Sequence, residues 1–270
     1  MTDVAAPRRP HLEHSPLVLV LCEIRFSPVL AIDRHVTAIQ DRLRNNGFPD
    51  YSVATQQQIQ FGAEGGVQLQ PSLRWSFASA DKKRVMTLTT SSIALQVTDY
   101  QTFEDFQEPL RLVVDVLSRE VQPSYADRIG LRYVDAVVDV GSDLTEIFTE
   151  AVTTFSPEEL GVESLLSSQQ ILARSAVGQL LIRMNQVENT PILPPDLLTP
   201  DFPQLAAVKP GIHAILDIDS SDESRTAFNF DVIEPRLWAV HGPASAAFWK
   251  SVRPAAMEKW GLVPSNQTGK

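Results

Sequence analysis

Hydrophobic and polar positions along the chain alternate between two periods, and the switches mark the elements. Leu17 to Phe26 begins as a continuous apolar run and passes into alternation, which predicts a strand. From Ala31 to Asn46 the apolar residues Ile32, Val36, Ile39 and Leu43 recur at helical spacing, and Gly47 stands where a C′ glycine ends a helix. Three strand-like stretches follow: Val53 to Phe61, with Gln56, Gln58 and Gln60 in alternation; Val67 to Ala78, with Leu73, Trp75 and Phe77 on one face; and Arg84 to Thr98. Asp81-Lys82-Lys83 reads as the hairpin turn before the last of these. Thr102, with Asp105 three residues on, caps a helix whose stripe is Phe103, Phe106, Leu110, Val113, Val114 and Leu117.

The second half repeats that order. Arg128 to Val140 is a strand, Leu144 to Val152 a short helix with Asp143 as its cap, and Gln169–Val177 and Gln179–Val187 a hairpin across Gly178. Ile212 to Asp219 is the next strand, and Pro235 to Val252 is helical. Residue similarity follows the order: Glu23-Ile-Arg-Phe26 matches Gly130-Leu-Arg-Tyr133, and Phe103, Phe106 and Pro109 match Leu237, Val240 and Pro243. The spacing between matched positions widens along the chain, and the excess falls in 189–211, where Pro191, Pro194, Pro195, Pro200, Pro203 and Pro210 forbid a central strand.

The expected fold is therefore α+β: two similar β-α-β-β-β-α halves, with mostly antiparallel sheets, helices on one face and a pseudo-twofold duplication. The expected boundaries are a disordered N-terminal tail (1–15), a first half (16–125), a second half (126–255) carrying the insertion 189–211, and a C-terminal tail (256–270). Such sheets leave one face to solvent or to a partner, as the glutamine alternation suggests, and paired halves form a cleft at their junction.

Composition narrows the function. With 43% hydrophobic residues in 270, the chain has material for a core, which excludes a disordered class. The net charge of −10 disfavours a general nucleic-acid clamp. The single cysteine, Cys22, excludes a disulfide framework and is expected to act as a small buried hydrophobe. The run Leu17–Cys22 is too short for a secretory h-region, and no stretch is long enough to span a bilayer, so a cytoplasmic location is expected, with no membrane partner.

Linear catalytic signatures are missing from the sequence. The five histidines are scattered; Gly62, Gly65 and Gly66 lack the Lys-Ser/Thr of a phosphate loop, and there is no nucleophile elbow. No catalytic residue, metal ligand or cofactor is assigned. Asp217 and Asp219 share a strand face, either as divalent-ion ligands or as the start of a solvated acidic turn. Arg25 and Arg132 occupy matching positions and could converge on one acidic ligand through their guanidinium forks, or pair with Glu23 and Asp135. His241 is either a packed helical histidine or a general acid–base. Arg25, Arg132 and His241 are thus the candidate ligand-binding residues. Trp238, Phe248, Trp249 and Trp260 read as core or subunit interface rather than as a stacking platform. The basic clusters Arg34, Arg42, Arg44 and Lys82-Lys83-Arg84 are the available footing for nucleic acid.

Glu23-Ile-Arg-Phe26, Trp75-Ser-Phe77, Asp99-Tyr100 leading into Phe103-Glu-Asp-Phe106, Arg128-Ile-Gly-Leu-Arg-Tyr-Val134, Leu216-Asp-Ile-Asp219 and His241 together resemble a sporadically distributed family of uncharacterised prokaryotic proteins of similar length. The resemblance covers most of the chain and implies no activity, cofactor or site residue. Patchy distribution implies a mobile accessory role, such as defence or a toxin–antitoxin system. The expected function is a binding or assembly module with a protein partner or a second copy of itself. An enzyme or small-ligand receptor working in the cleft between the halves is the alternative.

Overall fold

The computed structural model describes residues 10–61, 67–141, 144–153, 161–162 and 166–264, with side chains for all of these except 56–61 and 67–71. The side chains of Gln56, Gln58 and Gln60, residues 62–66 and the Asp143 cap therefore lie outside what is described. In chain order the elements are β1 (His11–Leu12), β2 (Leu17–Phe26), α1 (Val36–Arg44), β3 (Asp50–Phe61), β4 (Val67–Ala78), β5 (Arg84–Leu88), β6 (Ser92–Val97) and α2 (Phe103–Glu120). They continue as β7 (Tyr125–Val137), β8 (Ser167–Arg174), β9 (Gln179–Glu188), α3 (Pro203–Ala206), β10 (Ile212–Asp222), β11 (Thr226–Ala227), α4 (Phe230–Ser251), α5 (Pro254–Lys259) and β12 (Leu262–Val263).

The fold is α+β, and every strand pairing described is antiparallel. A single ten-stranded sheet runs β3-β4-β5-β6-β2-β7-β10-β9-β8, with β11 on β7. β2 and β7 lie side by side at its centre, Glu23 opposite Gly130 and Arg25 opposite Arg128. From β2 the chain crosses by α1 to the outer edge at β3 and meanders back to β6; from β7 it crosses to the other edge at β8 and returns to β10. The two halves thus meet through a continuous strand ladder.

Several elements differ from the sequence pattern. Arg84 to Thr98 is two strands, because Thr89 Oγ1 accepts from the backbone N–H groups of Ser91 and Ser92 at 3.3 and 3.0 Å and builds a tight turn. Leu144–Glu146 is a single 3-10 turn rather than a helix to Val152. α4 starts ahead of Pro235, where Asn229 Oδ1 accepts from Asp231 N at 2.9 Å, and it contains both Pro235 and Pro243. The cap at Thr102 forms as expected, its Oγ1 accepting from Asp105 N at 3.1 Å. At the ends, where tails were expected, β1 pairs with β12 and α5 packs Ala256 and Met257 into the core.

Two cores lie on the two faces of the sheet. The larger one joins Val20, Cys22, Ile24, Leu95, Leu131 and Leu216 of the strands to Ile39, Leu43, Leu110, Val114, Leu237 and Val240 of α1, α2 and α4. Alternate strand residues point the other way, and there Leu19, Ala78, Val85, Val134 and Ile215 are covered by Leu193, Leu197 and Phe202. The proline-rich insertion, with the short α3, is thus a roof over part of the face opposite α1, α2 and α4, called the helix-free face because none of those three helices lies on it. Its ends are tied together: Asn189 N donates to Gly211 O and Gly211 N to Asn189 Oδ1, both at 3.0 Å. Gly211 has φ +88°, a left-handed conformation that suits a residue without Cβ.

Candidate functional site

Seven charged residues of the central strands collect on the helix-free face, beside and beneath the insertion. β2 contributes Glu23 and Arg25, β7 contributes Arg128 and Arg132, β9 contributes Arg183, and β10 contributes Asp217 and Asp219. Period-2 alternation puts them on one side while Ile24, Leu131, Tyr133 and Ile218 go into the helix-side core.

Asp217, with no exposed side chain, is the centre of the group. Arg132 Nε and Nη2 donate to its two oxygens at 2.7 and 2.8 Å, and Arg183 Nη1 adds a third bond at 2.9 Å. The other prongs of Arg132 reach Asp196 on the insertion, Nη2 to Oδ1 at 3.1 Å. Burial pulls the Arg132 guanidinium toward neutrality, but bonds to Asp217 and Asp196 outweigh it and hold its pKa above the ordinary value. Burial would raise Asp196; the Arg132 bond and charge overcome this and lower it. A second latch joins Arg74 on β4 to Asp201 and, at 3.2 Å, to Thr199 of the insertion, while Ser76 Oγ donates to Asp201 at 3.2 Å.

Beyond the insertion the face continues as a partly exposed strip. Arg25 Nε pairs with Glu23 Oε2 at 2.7 Å, and Arg128 bridges Glu23 at 3.3 Å and Asp219 at 3.5 Å. Burial raises Asp219, and Arg128 and Arg132 only partly offset it. Gly130 is what lets Arg128 lie flat: a Cβ there would stand 2.4 Å from Arg128 Nη1. A glycine inside a strand commonly marks such a close approach.

The three candidate residues from the sequence do not form one site. Arg25 and Arg132 share the helix-free face, yet Arg25 lies opposite Arg128, four residues along β7 from Arg132, or roughly 13 Å at strand rise. The fork of Arg132 is taken by Asp217 and Asp196, and Arg25 pairs through Nε with Glu23. Asp135, the expected partner of Arg132, sits on the helix side, where burial pushes its carboxyl up to about 8. His241 is also on the helix side: it stacks on Phe103 with centroids 4.1 Å apart, and its Nδ1 lies 2.7 Å from the Tyr133 hydroxyl.

Other chemistry is accounted for by packing and pairing. Asp217 and Asp219 are engaged by arginines rather than poised for a cation, and no cluster of three metal-ligating side chains occurs among the described residues. β10 runs on to Asp222, whose Oδ2 accepts from Arg236 Nε at 2.8 Å, so no acidic turn begins at Asp219. Cys22 is fully buried, and burial, with Glu23 adding to it, holds the thiol protonated far above its usual range. Trp238, Phe248, Trp249 and Trp260 pack against the main core. In the basic clusters, Arg42 pairs with Glu120, Arg44 with Asp41 and Lys82 with Asp50. A hollow of about 310 Å³ lies at the start of α2 beside Lys83, Arg84 and Asp99, within the first half rather than between the halves.

Sequence reasoning missed Arg74, Arg183, Asp196 and Asp201. The alternation of charge on β9 and β10, Arg183 against Asp217, was the one signal available for any of them; the insertion's partners depend on where it folds back. No helix among the described residues is long and apolar enough to cross a membrane. Comparison with protein-family models, curated proteins and solved structures returns no match.

Proposed function

We propose that the chain is a non-enzymatic binding or assembly module that engages a protein partner, working in the cytoplasm of a prokaryote within a defence or toxin–antitoxin system. One observation carries this reading: the helix-free face keeps a partly exposed strip of Glu23, Arg25, Arg128 and Asp219 whose charges are mutually paired. A small anion would have to break those pairs, whereas a protein surface can meet both signs of the strip with its own. The net charge of −10 favours a basic partner. Purification of the tagged chain from its native host is the test. A stoichiometric basic protein is expected, lost at high salt; a clean chain with nothing bound overturns the reading.

The same proposal includes an internal duplication. Its support is that Glu23 and Gly130, matched between the halves by sequence, lie directly opposite each other across the central ladder, where a twofold axis relating the halves would pass. Both halves also leave a central strand, reach an outer edge and return as an antiparallel meander. The first half has one strand more in its meander, which a strict copy would lack.

A further inference from the structure

β3 closes one edge of the sheet. Among the described residues it pairs on one side only, with β4, in an unbroken register from Asp50 opposite Ala78 to Phe61 opposite Val67. β4 in turn meets β5 only from Trp75 to Ala78. Beyond that point the hairpin runs on as a two-stranded ribbon, with no third strand among the described residues. A ribbon of two strands is marginal in water, and its outer strand offers a row of unpaired N–H and C=O groups.

Proteins blunt such edges with charges, prolines or bulges. The two sides of this ribbon are treated differently. β4 carries Pro71 and Arg74 where β5 falls away. β3 carries neither a charged residue nor a proline from Tyr51 to Phe61, and its register has no bulge. At the base of the ribbon Tyr51, Val53 and Leu73 are 45%, 52% and 44% exposed, which is more apolar surface than an edge facing water needs.

We infer that β3 pairs antiparallel with β3 of a second copy of this chain, joining two ten-stranded sheets across a twofold axis. The inference goes beyond the reading above, which names a foreign basic partner, and does not depend on it. Charge selects the occupant. Each copy carries −10, so most approaches of two copies bring acidic surfaces together. The stretch from Tyr51 to Phe61 is uncharged, so two copies meet there without opposing like charges, while a charged foreign strand finds no ion pair to make. Identical strands paired about a twofold axis form a closed, isologous contact that uses up both edges. The opposite edge, β8, is shorter and carries Arg174.

Sedimentation equilibrium of the full chain over a concentration series tests this. The wild type is expected to dimerise. Thr55→Lys with Gln57→Lys, and separately Thr55→Glu with Gln57→Glu, set like charges across the twofold and are expected to raise the dimer dissociation constant by on the order of tenfold or more. An equimolar mixture of the two variants recovers the dimer, which also shows that both still fold. A wild type that stays monomeric, a lysine variant that dimerises as tightly as wild type, or a mixture that stays monomeric each overturns the inference. A monomer that still co-purifies with a basic protein overturns self-pairing and leaves the assembly reading standing. A β3 dimer that captures no other protein supports self-pairing and removes the foreign partner.

Discussion

Arg132 holds Asp217 by both carboxylate oxygens, at 2.7 and 2.8 Å, at a point where Asp217 has no exposed side-chain surface. A charge desolvated to this extent persists only because its partners are in place. Asp217→Ala leaves two guanidinium groups facing each other without their shared anion and is expected to cost about 3–5 kcal/mol, read from urea unfolding. Replacing Asp217 and Arg132 together by leucine is expected to cost much less than the single change, because the buried pair offsets its own desolvation with little to spare. Equal losses in the two variants would mean that the pair stabilises the fold outright.

Asp135 gives the fold a pH dependence opposite in sign to that of an ion-paired carboxylate. Its folded pKa, about 8, stands above the ordinary 3.8, so between those values the unfolded chain has released a proton that the folded chain keeps. The unfolded state therefore binds fewer protons, and this group's contribution to stability falls as pH rises, by about 1.4 kcal/mol per pH unit, levelling off above about 8. Asp135→Asn is expected to abolish that slope and to be more stable than wild type at pH 8, with little difference at pH 4. Unfolding free energies across the range check this; parallel curves for the two proteins would contradict it.

What the sequence made legible was whatever local period encodes. The stripes of α1 and α2, the Thr102 cap, the alternation in β2 and the β8–β9 hairpin all follow from neighbours a few residues apart. Long-range placement was not legible. Arg132 has Asp135 three residues away in sequence, yet strand alternation sends them to opposite faces, and its partner Asp217 comes from a neighbouring strand. The insertion was recognisable by its prolines, but its role as a roof depends on Leu193, Leu197 and Phe202 meeting Leu19, Val134 and Ile215. The glycine in Gly130-Leu-Arg-Tyr133 was visible as a motif residue; its reason, a guanidinium lying across it, required the folded sheet.

Apolar contact is expected to anchor that insertion more strongly than its ion pair from Asp196 to Arg132. Phe202 is fully buried against the sheet, whereas the Asp196 side chain is 62% exposed. Phe202→Ala is expected to cost about 3–5 kcal/mol and to open 189–211 to limited proteolysis. Asp196→Ala removes an exposed carboxylate from an arginine that keeps Asp217, and is expected to cost under about 1 kcal/mol and to leave the protease pattern unchanged. The reverse ranking would make the ion pair the anchor.

Burial also makes a chemical prediction for the one thiol. Cys22 is held protonated in the main core, so a thiolate-selective reagent at pH 8 is expected to leave it unmodified in the folded chain and to label it fully in denaturant. Rapid labelling of the folded protein would place the thiol near solvent.

Gly130 offers a way to disturb the charged strip without breaking the fold. A methyl group at this position falls 2.4 Å from Arg128 Nη1, and the atom in the way is the end of a flexible side chain, so Arg128 swings off and leaves Glu23 and Asp219. Gly130→Ala loses those partly exposed pairs but gains about 0.5–1 kcal/mol from restricting the unfolded backbone, so net stability is expected to change by less than about 1 kcal/mol. Partner capture from the native host is expected to fall with the rearranged arginine, and Arg128→Ala to reproduce the loss. Full capture by both variants, at unchanged stability, would move the binding surface away from the centre of the sheet and toward its edges.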